Sequence, residues 1–401
     1  MTGSIHKVVV AGAGPAGLLA TYMLAKEGIS VDVLEAKATI DTSPRGLAYG
    51  PSAKRVLQDA GLLDKITSEG FLSRDFTWRK LDGTILVYAS AESDRDAWVV
   101  NPVGSISALL LDLVQKMSIV TIHWNCRVVD VGQDEIVAWV DAVDPSGNKS
   151  RWEADYVIGC EGAQSAVRKS LFNGRFPGYT WPAQLIAVNF SYDFLDKAGW
   201  ADAQWVVDQE KWFLCARINR KGLWRMAYGE TPGLSIEEIR KRLDDRFRTT
   251  LPGNPEPHQF QVMNLAPYTI HQRLAERMRV GRVLLAADAA HLCNPMGGLG
   301  LTTGIADIGS LVQALVGIHT GQTTDIILDI YDEKRRAIFS TITDPISTTN
   351  MKRIMSDANE VEKSDPFFDN VRQAVEDPIL REEAFRPLTY MRNLEADGDR
   401  M

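Results

Sequence analysis

The chain has 401 residues, 45% of them hydrophobic, enough to bury a large core and to form two domains. Its formal net charge is −8 and it carries no basic run, which argues against nucleic acid as a partner. Its four cysteines (Cys126, Cys160, Cys215, Cys293) form no C-x-x-C or Cys/His cluster, which argues against structural zinc and for reduced thiols in a cytoplasmic setting.

In chain order, Val8-Val9-Val10-Ala11 is an apolar strand that runs into Gly12-Ala13-Gly14-Pro15-Ala16-Gly17, and a helical pattern follows from Leu18 to Ala25. This is G-x-G-x-x-G between strand and helix. Gly12 permits the tight turn, Gly14 lets the backbone approach a pyrophosphate, and Gly17 lets the helix pack against the strand. The helix N-terminus, entered through Pro15 and Ala16, offers unpaired N–H groups to phosphates. Val31 to Leu34 reads as the second strand and ends in Glu35, placed to accept the ribose hydroxyls of an adenosine.

A loop from Ala38 to Tyr49 leads to a helix over Pro51 to Ala60, stopped by Gly61. Phe71 to Val87 alternates around the turn signal Asp82-Gly83. Ser105 to Met117 reads as a helix, Ile119 to Trp124 and Arg127 to Val131 as strands, and residues 136–154 as a hairpin around Pro145 to Asn148. Tyr156 to Ile158 is a short buried strand ahead of Gly159-Cys160-Glu161-Gly162. From Phe176 to Tyr268 tryptophans and alternating segments (Leu185 to Tyr192, Gln204 to Val207, Trp212 to Ile218, Trp224 to Tyr228) predict an antiparallel sheet able to face a ligand. Ser235 to Arg248 reads as a solvated helix. Val283 to Ala287 returns to a buried-strand pattern ending in Asp288, and Gly300 to His319 is a long helix. Residues 330–401 are mostly helical, with Pro345, Pro366, Pro378 and Pro387 as breaks.

The expected fold is therefore α/β: a Rossmann-like nucleotide domain (1–72, 95–175 and 276–345) interrupted by a mostly antiparallel β-sheet substrate domain (73–94 and 176–275), with a helical C-terminal segment (346–401). No charge-free apolar window is long enough for a membrane span. His6, His123, His258, His271, His291 and His319 lack metal-ligand spacing, so no metal site is expected.

Two further runs matter. Asp288-Ala289-Ala290-His291 followed by Asn294-Pro295-Met296-Gly297-Gly298-Leu299-Gly300 is a strand-end acid and a glycine-rich loop entering a helix. The acid suits a sugar-alcohol hydroxyl, and the loop suits a carbonyl that turns negative on reduction. The other run is Gly159 to Arg168. Together with the amino-terminal glycines, these runs resemble the class A flavoprotein monooxygenases, typified by para-hydroxybenzoate hydroxylase and phenol hydroxylase, over roughly residues 5–345.

That resemblance implies FAD as cofactor. Its ADP half would be held by Gly12, Gly14, Pro15, Ala16, Gly17 and Glu35, its ribitol and pyrophosphate by Asp288, and its ring would be bordered by Pro295, Gly298, Leu299 and Gly300. Arg45 stands where the family places a flavin-contacting arginine. Glu161 and Arg168 fall in the motif that supports FAD and the nicotinamide. Three features depart from the family pattern: Ala287 replaces a glycine before Asp288, Glu161 replaces an aspartate, and the start of the helix at Ser105 to Met117 lacks the family's Arg or Gln, Asn101 being the nearest polar residue. The implied reaction takes electrons from NADPH or NADH, adds O2 at the flavin C4a, and hydroxylates an electron-rich small aromatic through a flavin hydroperoxide. The same scaffold also serves epoxidases, Baeyer–Villiger oxygenases and oxidative dearomatases, and a non-catalytic nucleotide binder is the remaining alternative. Tyr228 and Arg225, on one strand of the insert, are candidate substrate contacts, and Trp205, Trp212 and Trp224 are candidate pocket walls. His291 reads as a structural cap more than a flavin donor. The assembly is expected to be a monomer or homodimer.

Overall fold

In the computed structural model, which describes residues 4–41, 46–194 and 199–390, the first strand is Lys7–Ala11. It lies between the parallel strands Ser30–Leu34 and Tyr156–Gly159, with Val120–His123 beyond the former and Val283–Leu285 beyond the latter. Only the edge strand Arg279–Val280 is antiparallel. Val8 to Ala11 are fully buried. A strand covered on both faces needs an unbroken apolar run, which is what the sequence supplies. Its core also takes in the helices Pro15–Lys26 and Leu299–His319 and the small sheet Arg127–Gln133, Ala138–Val143 and Lys149–Ala154.

A second, eight-stranded sheet runs in the order His291–Leu292, Gln261–Leu274, Gly178–Ser191, Leu223–Glu230, Phe213–Arg217, Ala203–Val207, Asp75–Lys80, Ile85–Ser90. Every pairing is antiparallel except that of Ala203–Val207 with Asp75–Lys80, where the early hairpin joins the later strands. The helix Ile236–Thr250 covers one face. Its entry is a capping box, Ser235 with Glu238. The charge-rich sequence reads as solvated throughout, yet Ile239, Leu243 and Phe247, four residues apart, form a buried stripe against the sheet.

Helix Leu299–His319 is long and apolar enough to cross a membrane by length and composition, but most of that apolar stretch is buried inside the protein. The expected break at Pro345 is absent. Helix Ile327–Ile338 passes through a π-helical stretch, Phe339–Thr343, into helix Asp344–Ile354. Proline lacks an N–H, and its ring would meet the carbonyl four residues back; the widened turn relieves that conflict without ending the helix. Pro366 and Pro378 instead begin helices (Pro366–Glu376 and Pro378–Tyr390), and the last helix runs through position 387.

These C-terminal helices pack on the large sheet. Met351, Ile354, Val361 and Phe368 share a core with Trp78, Leu185, Trp212 and Met296. Phe368→Ala, at a fully buried site, is expected to destabilise the fold by about 3–5 kcal/mol. Urea unfolding measures it, and a loss below about 1 kcal/mol would show that this helix does not belong to the core.

Candidate active site

Ala11, Gly159 and Leu285 stand in register across three neighbouring parallel strands. The segments that leave them therefore open on one edge of the sheet. They border a single cavity of about 2160 Å³, whose wall includes Gly12, Gly14, Pro15, Ala16, Glu35, Glu161, Asp288, Pro295, Gly298 and Gly300. Arg45 lies outside the described residues.

The glycines at the turn do different work. Gly12 has φ +99° and its added Cβ would sit 2.8 Å from the Cys160 carbonyl oxygen. A Cβ on Gly17 would lie 2.0 Å from the Gly12 oxygen, so the helix could not approach. A Cβ on Gly14 would meet no protein atom, and Gly14 lines the cavity. Helix Pro15–Lys26 has no side-chain cap and no acid in its first turn, leaving its N–H groups to an anion. Glu35 lines the cavity and accepts from the Ala13 N–H at 2.8 Å and the Lys37 N–H at 2.9 Å, which fixes the turn. These residues fit the pyrophosphate and ribose of a dinucleotide.

Across the cavity, Asp288 opens into the space while protein surrounds it, and this enclosure raises its carboxyl pKa. Beneath it lies Asp307, fully buried. One Asp307 oxygen takes hydrogen bonds from the Ala287 N–H at 2.9 Å and from His291 Nε2 at 2.7 Å. The other takes the Arg335 Nε–H at 2.6 Å. Burial works to raise the Asp307 pKa, but His291 and Arg335 overcome it and hold it below the ordinary carboxylate value. His291 is thus buried in a network under the loop, away from the cavity wall.

The glycine loop is pinned as well. The Met296 carbonyl accepts from the Trp205 indole N–H at 2.9 Å and from the Asn350 amide at 3.2 Å. Gly298 adopts φ +66° as the helix Leu299–His319 begins. Pro295, Gly298 and Gly300 face the cavity, whereas Leu299 is buried in the protein.

Two motif residues have structural partners. Glu161 accepts from Ser165 Oγ at 2.7 Å and from the Ala166 and Val167 N–H groups at 3.0 Å each, capping helix Ala166–Leu171. Burial raises its pKa. Arg168 is buried and outside the cavity wall; it donates to the carbonyls of Ala289 at 3.0 Å and Ala163 at 2.7 Å and lies 3.7 Å over the Phe176 ring. It ties the Asp288 loop to the Glu161 loop.

The large sheet forms the far wall, and its register sorts the side chains into rows. One row runs Asn264, Asn189, Arg225, Ala216, Ala203, Phe76. The next runs Ala266, Ala187, Ala227, Leu214, Trp205, Trp78. All of these line the cavity. A polar strip thus borders a smooth, mostly alanine floor that ends in the stacked Trp205–Trp78 pair, centroids 5.5 Å apart. The Arg225 Nε–H donates to Asn189 Oδ1 at 2.9 Å, and burial pulls the Arg225 pKa down to about 10. Tyr268, in the same wall, is pushed above its ordinary pKa by burial and stays protonated. From helices Asp344–Ile354 and Pro366–Glu376, Asn350, Arg353 and Phe367 close another side.

Tyr228 does not join Arg225. Residues three apart on a strand point to opposite faces. Tyr228 is fully buried on the other side of the sheet, with the Arg246 guanidinium 4.8 Å over its ring. Trp224 also lies on that side, and Trp212 packs across Gly229. Of the three tryptophans, Trp205 alone lines the cavity. Sequence reading missed Asn189, Ala187, Ala227, Asn264 and Tyr268. Alternation along Leu185 to Tyr192 and Trp224 to Tyr228 assigns the faces of Ala187, Asn189 and Ala227, but not those of Asn264 and Tyr268 on Gln261–Leu274, nor the cross-strand partners.

Residues 6–345 match the FAD binding domain family. It is 35% identical to a para-nitrophenol 4-monooxygenase of a Pseudomonas species, covering 99% of this chain and 96% of that one. The chain belongs to the FAD-dependent aromatic monooxygenases. It is 34% identical to a 6-hydroxy-3-succinoylpyridine 3-monooxygenase of Pseudomonas putida, covering 95% and 97%. The crystal structure of a p-nitrophenol 4-monooxygenase from Pseudomonas putida superimposes with a TM-score of 0.89 at 35% identity, covering 96% of this chain and 99% of that one.

In this flavin-dependent monooxygenase, Gly17→Ala forces the first helix away from the turn. FAD affinity of the apoprotein, followed by quenching of FAD fluorescence, is expected to fall by roughly tenfold or more. Unchanged affinity would remove the turn from the binding site.

Proposed function

We propose that this monooxygenase uses NADH or NADPH and O2 to hydroxylate a small phenol or hydroxypyridine, bound as its anion against the alanine floor. The observation that carries the reading is the shared cavity: the phosphate cradle and the Arg225–Asn189 strip open into one space. FAD, when bound, supplies the electron transfer and the activation of oxygen. Gly12, Gly14, Gly17 and Glu35 would hold its ADP half, and Asp288 its sugar-alcohol chain. Pro295, Gly298 and Gly300, with the open helix N-terminus, would border its ring.

The protein's own residues do the rest. Arg225, held by Asn189, carries a positive charge at neutral pH and faces the cavity, so it favours a phenolate over a phenol. Deprotonation puts electron density on the ring carbons ortho and para to the oxygen, where an electrophilic oxygen attacks. Tyr268, kept protonated, adds a hydroxyl donor. Ala187, Ala227 and Ala266 leave room for a flat ring, and Trp205, Trp78 and Phe367 exclude water. Both relatives' names place the oxygen at the ring carbon opposite the hydroxyl, and the proposed position of attack here is the same; where that carbon bears a nitro group, the C–N bond breaks, nitrite leaves with the bonding pair, and the ring is left as the quinone. The four cysteines are unpaired thiols, consistent with a reducing, cytoplasmic setting.

The test is a panel of phenols and hydroxypyridines, 4-nitrophenol included, followed by nicotinamide oxidation and product mass spectrometry. Substrate-stimulated oxidation with a product oxygenated para to the hydroxyl is expected. No stimulation and no oxygenated product across the panel would contradict the reading. Ala227→Leu is expected to raise the substrate KM by roughly tenfold or more, because the new side chain fills the floor, while FAD is retained. Arg225→Gln is expected to weaken 4-nitrophenolate binding by roughly tenfold to a hundredfold. In the parent protein the guanidinium is charged below its pKa, so anion binding should hold through neutral pH and fall as pH rises through about 10. Spectral titration of bound 4-nitrophenolate against pH checks this.

A further inference from the structure

Ala287 is one of four described non-glycine residues with positive φ, at +55°, and the other three are asparagines. Alanine gains nothing there, since it has no side-chain polar group to offset the left-handed backbone, and its Cβ crowds the neighbouring carbonyl. Such a conformation persists only where the surroundings impose it. Here two features do. The Ala287 N–H is held by Asp307, itself fixed by His291 and Arg335 in a buried network. The Ala287 methyl fits because residue 304 of the long helix is glycine: a Cβ built there would lie 2.9 Å from the Ala287 Cβ and 3.3 Å from its Cα. The next residue is Asp288, whose carboxyl opens into the cavity.

We propose that Asp307 and Gly304 are positioning residues for Asp288. Asp307 holds the left-handed Ala287 turn from below and Gly304 makes room for its methyl, so that together they set where the Asp288 carboxylate meets the cofactor. The proposal rests on the reading that Asp288 contacts FAD. It explains how an alanine holds a left-handed turn here: the conformational freedom a glycine would provide is replaced by a hydrogen bond and a matched gap.

The test is a cycle of variants, scored by the FAD dissociation constant of the apoprotein and by its thermal midpoint without FAD. Gly304→Ala places two methyl groups in one space and is expected to weaken FAD binding by roughly tenfold or more. Alanine is the better helix former, so the apoprotein melt of this variant should not collapse. Adding Ala287→Gly removes the colliding methyl and the strain, and the double variant should return to within roughly threefold of the parent. Asp307→Asn, which turns an acceptor into a mixed donor and acceptor beneath the Ala287 N–H, offers a second route. It too should weaken FAD binding and be partly restored by Ala287→Gly. A merely structural role would lower the melt and show no such restoration. Parent-like affinity in Gly304→Ala, or a double variant no better than the single, overturns the proposal. Asp288→Ala separates the two levels: weakened FAD binding there, with an unaffected Gly304→Ala, rejects the positioning role alone, whereas unaffected binding in Asp288→Ala rejects the underlying reading and the proposal with it.

Discussion

Three parallel strands ending in one register line constrain everything else in this molecule. Because Ala11, Gly159 and Leu285 are neighbours, three turns from distant parts of the sequence meet at one edge. None of them makes a site alone. Gly12 to Gly17 supplies open N–H groups, Glu161 is spent on capping its own helix, and Asp288 supplies a carboxyl. Packing in the shared core keeps the strands adjacent, so fold stability and the placement of the candidate cofactor contacts are not separable.

The second constraint is the period of two in the large sheet. It sends Arg225 and Ala227 into the cavity and Met226 and Tyr228 into a core beneath the helix Ile236–Thr250. The polar strip and the alanine floor follow from register alone, since each row collects one residue from each of six neighbouring strands. Small side chains on the floor are not a packing defect. They make a surface on which a flat ring can lie, with a charged guanidinium at its border.

The α/β class, the first strand, helix and strand, and the long helix after Gly300 were legible because each has a strong period and a glycine signal at its end. The cavity-wall positions of Gly12, Gly14, Glu35, Asp288, Pro295, Gly298 and Gly300 were legible because chemistry sits at strand ends, whereas Leu299 turns into the core. The substrate wall was not. Cross-strand register depends on pairings between residues dozens of positions apart, and no local signal reports them. Tyr228 was a readable error, because an offset of three on a strand reverses the face. The helix at Pro345 continues because a π-helical turn absorbs the proline, and local sequence does not announce such a turn. Arg168 was expected near the cofactor, yet its partners are the carbonyls of Ala289 and Ala163, again a matter of tertiary placement.

The most direct test of the account is a crystal structure of the protein with FAD and 4-nitrophenol. The account predicts the dinucleotide between the Gly12–Gly17 turn and Asp288, and the phenol ring lying on Ala187 and Ala227 with its oxygen toward Arg225. A ring bound away from that floor, or FAD held outside the shared cavity, would contradict it.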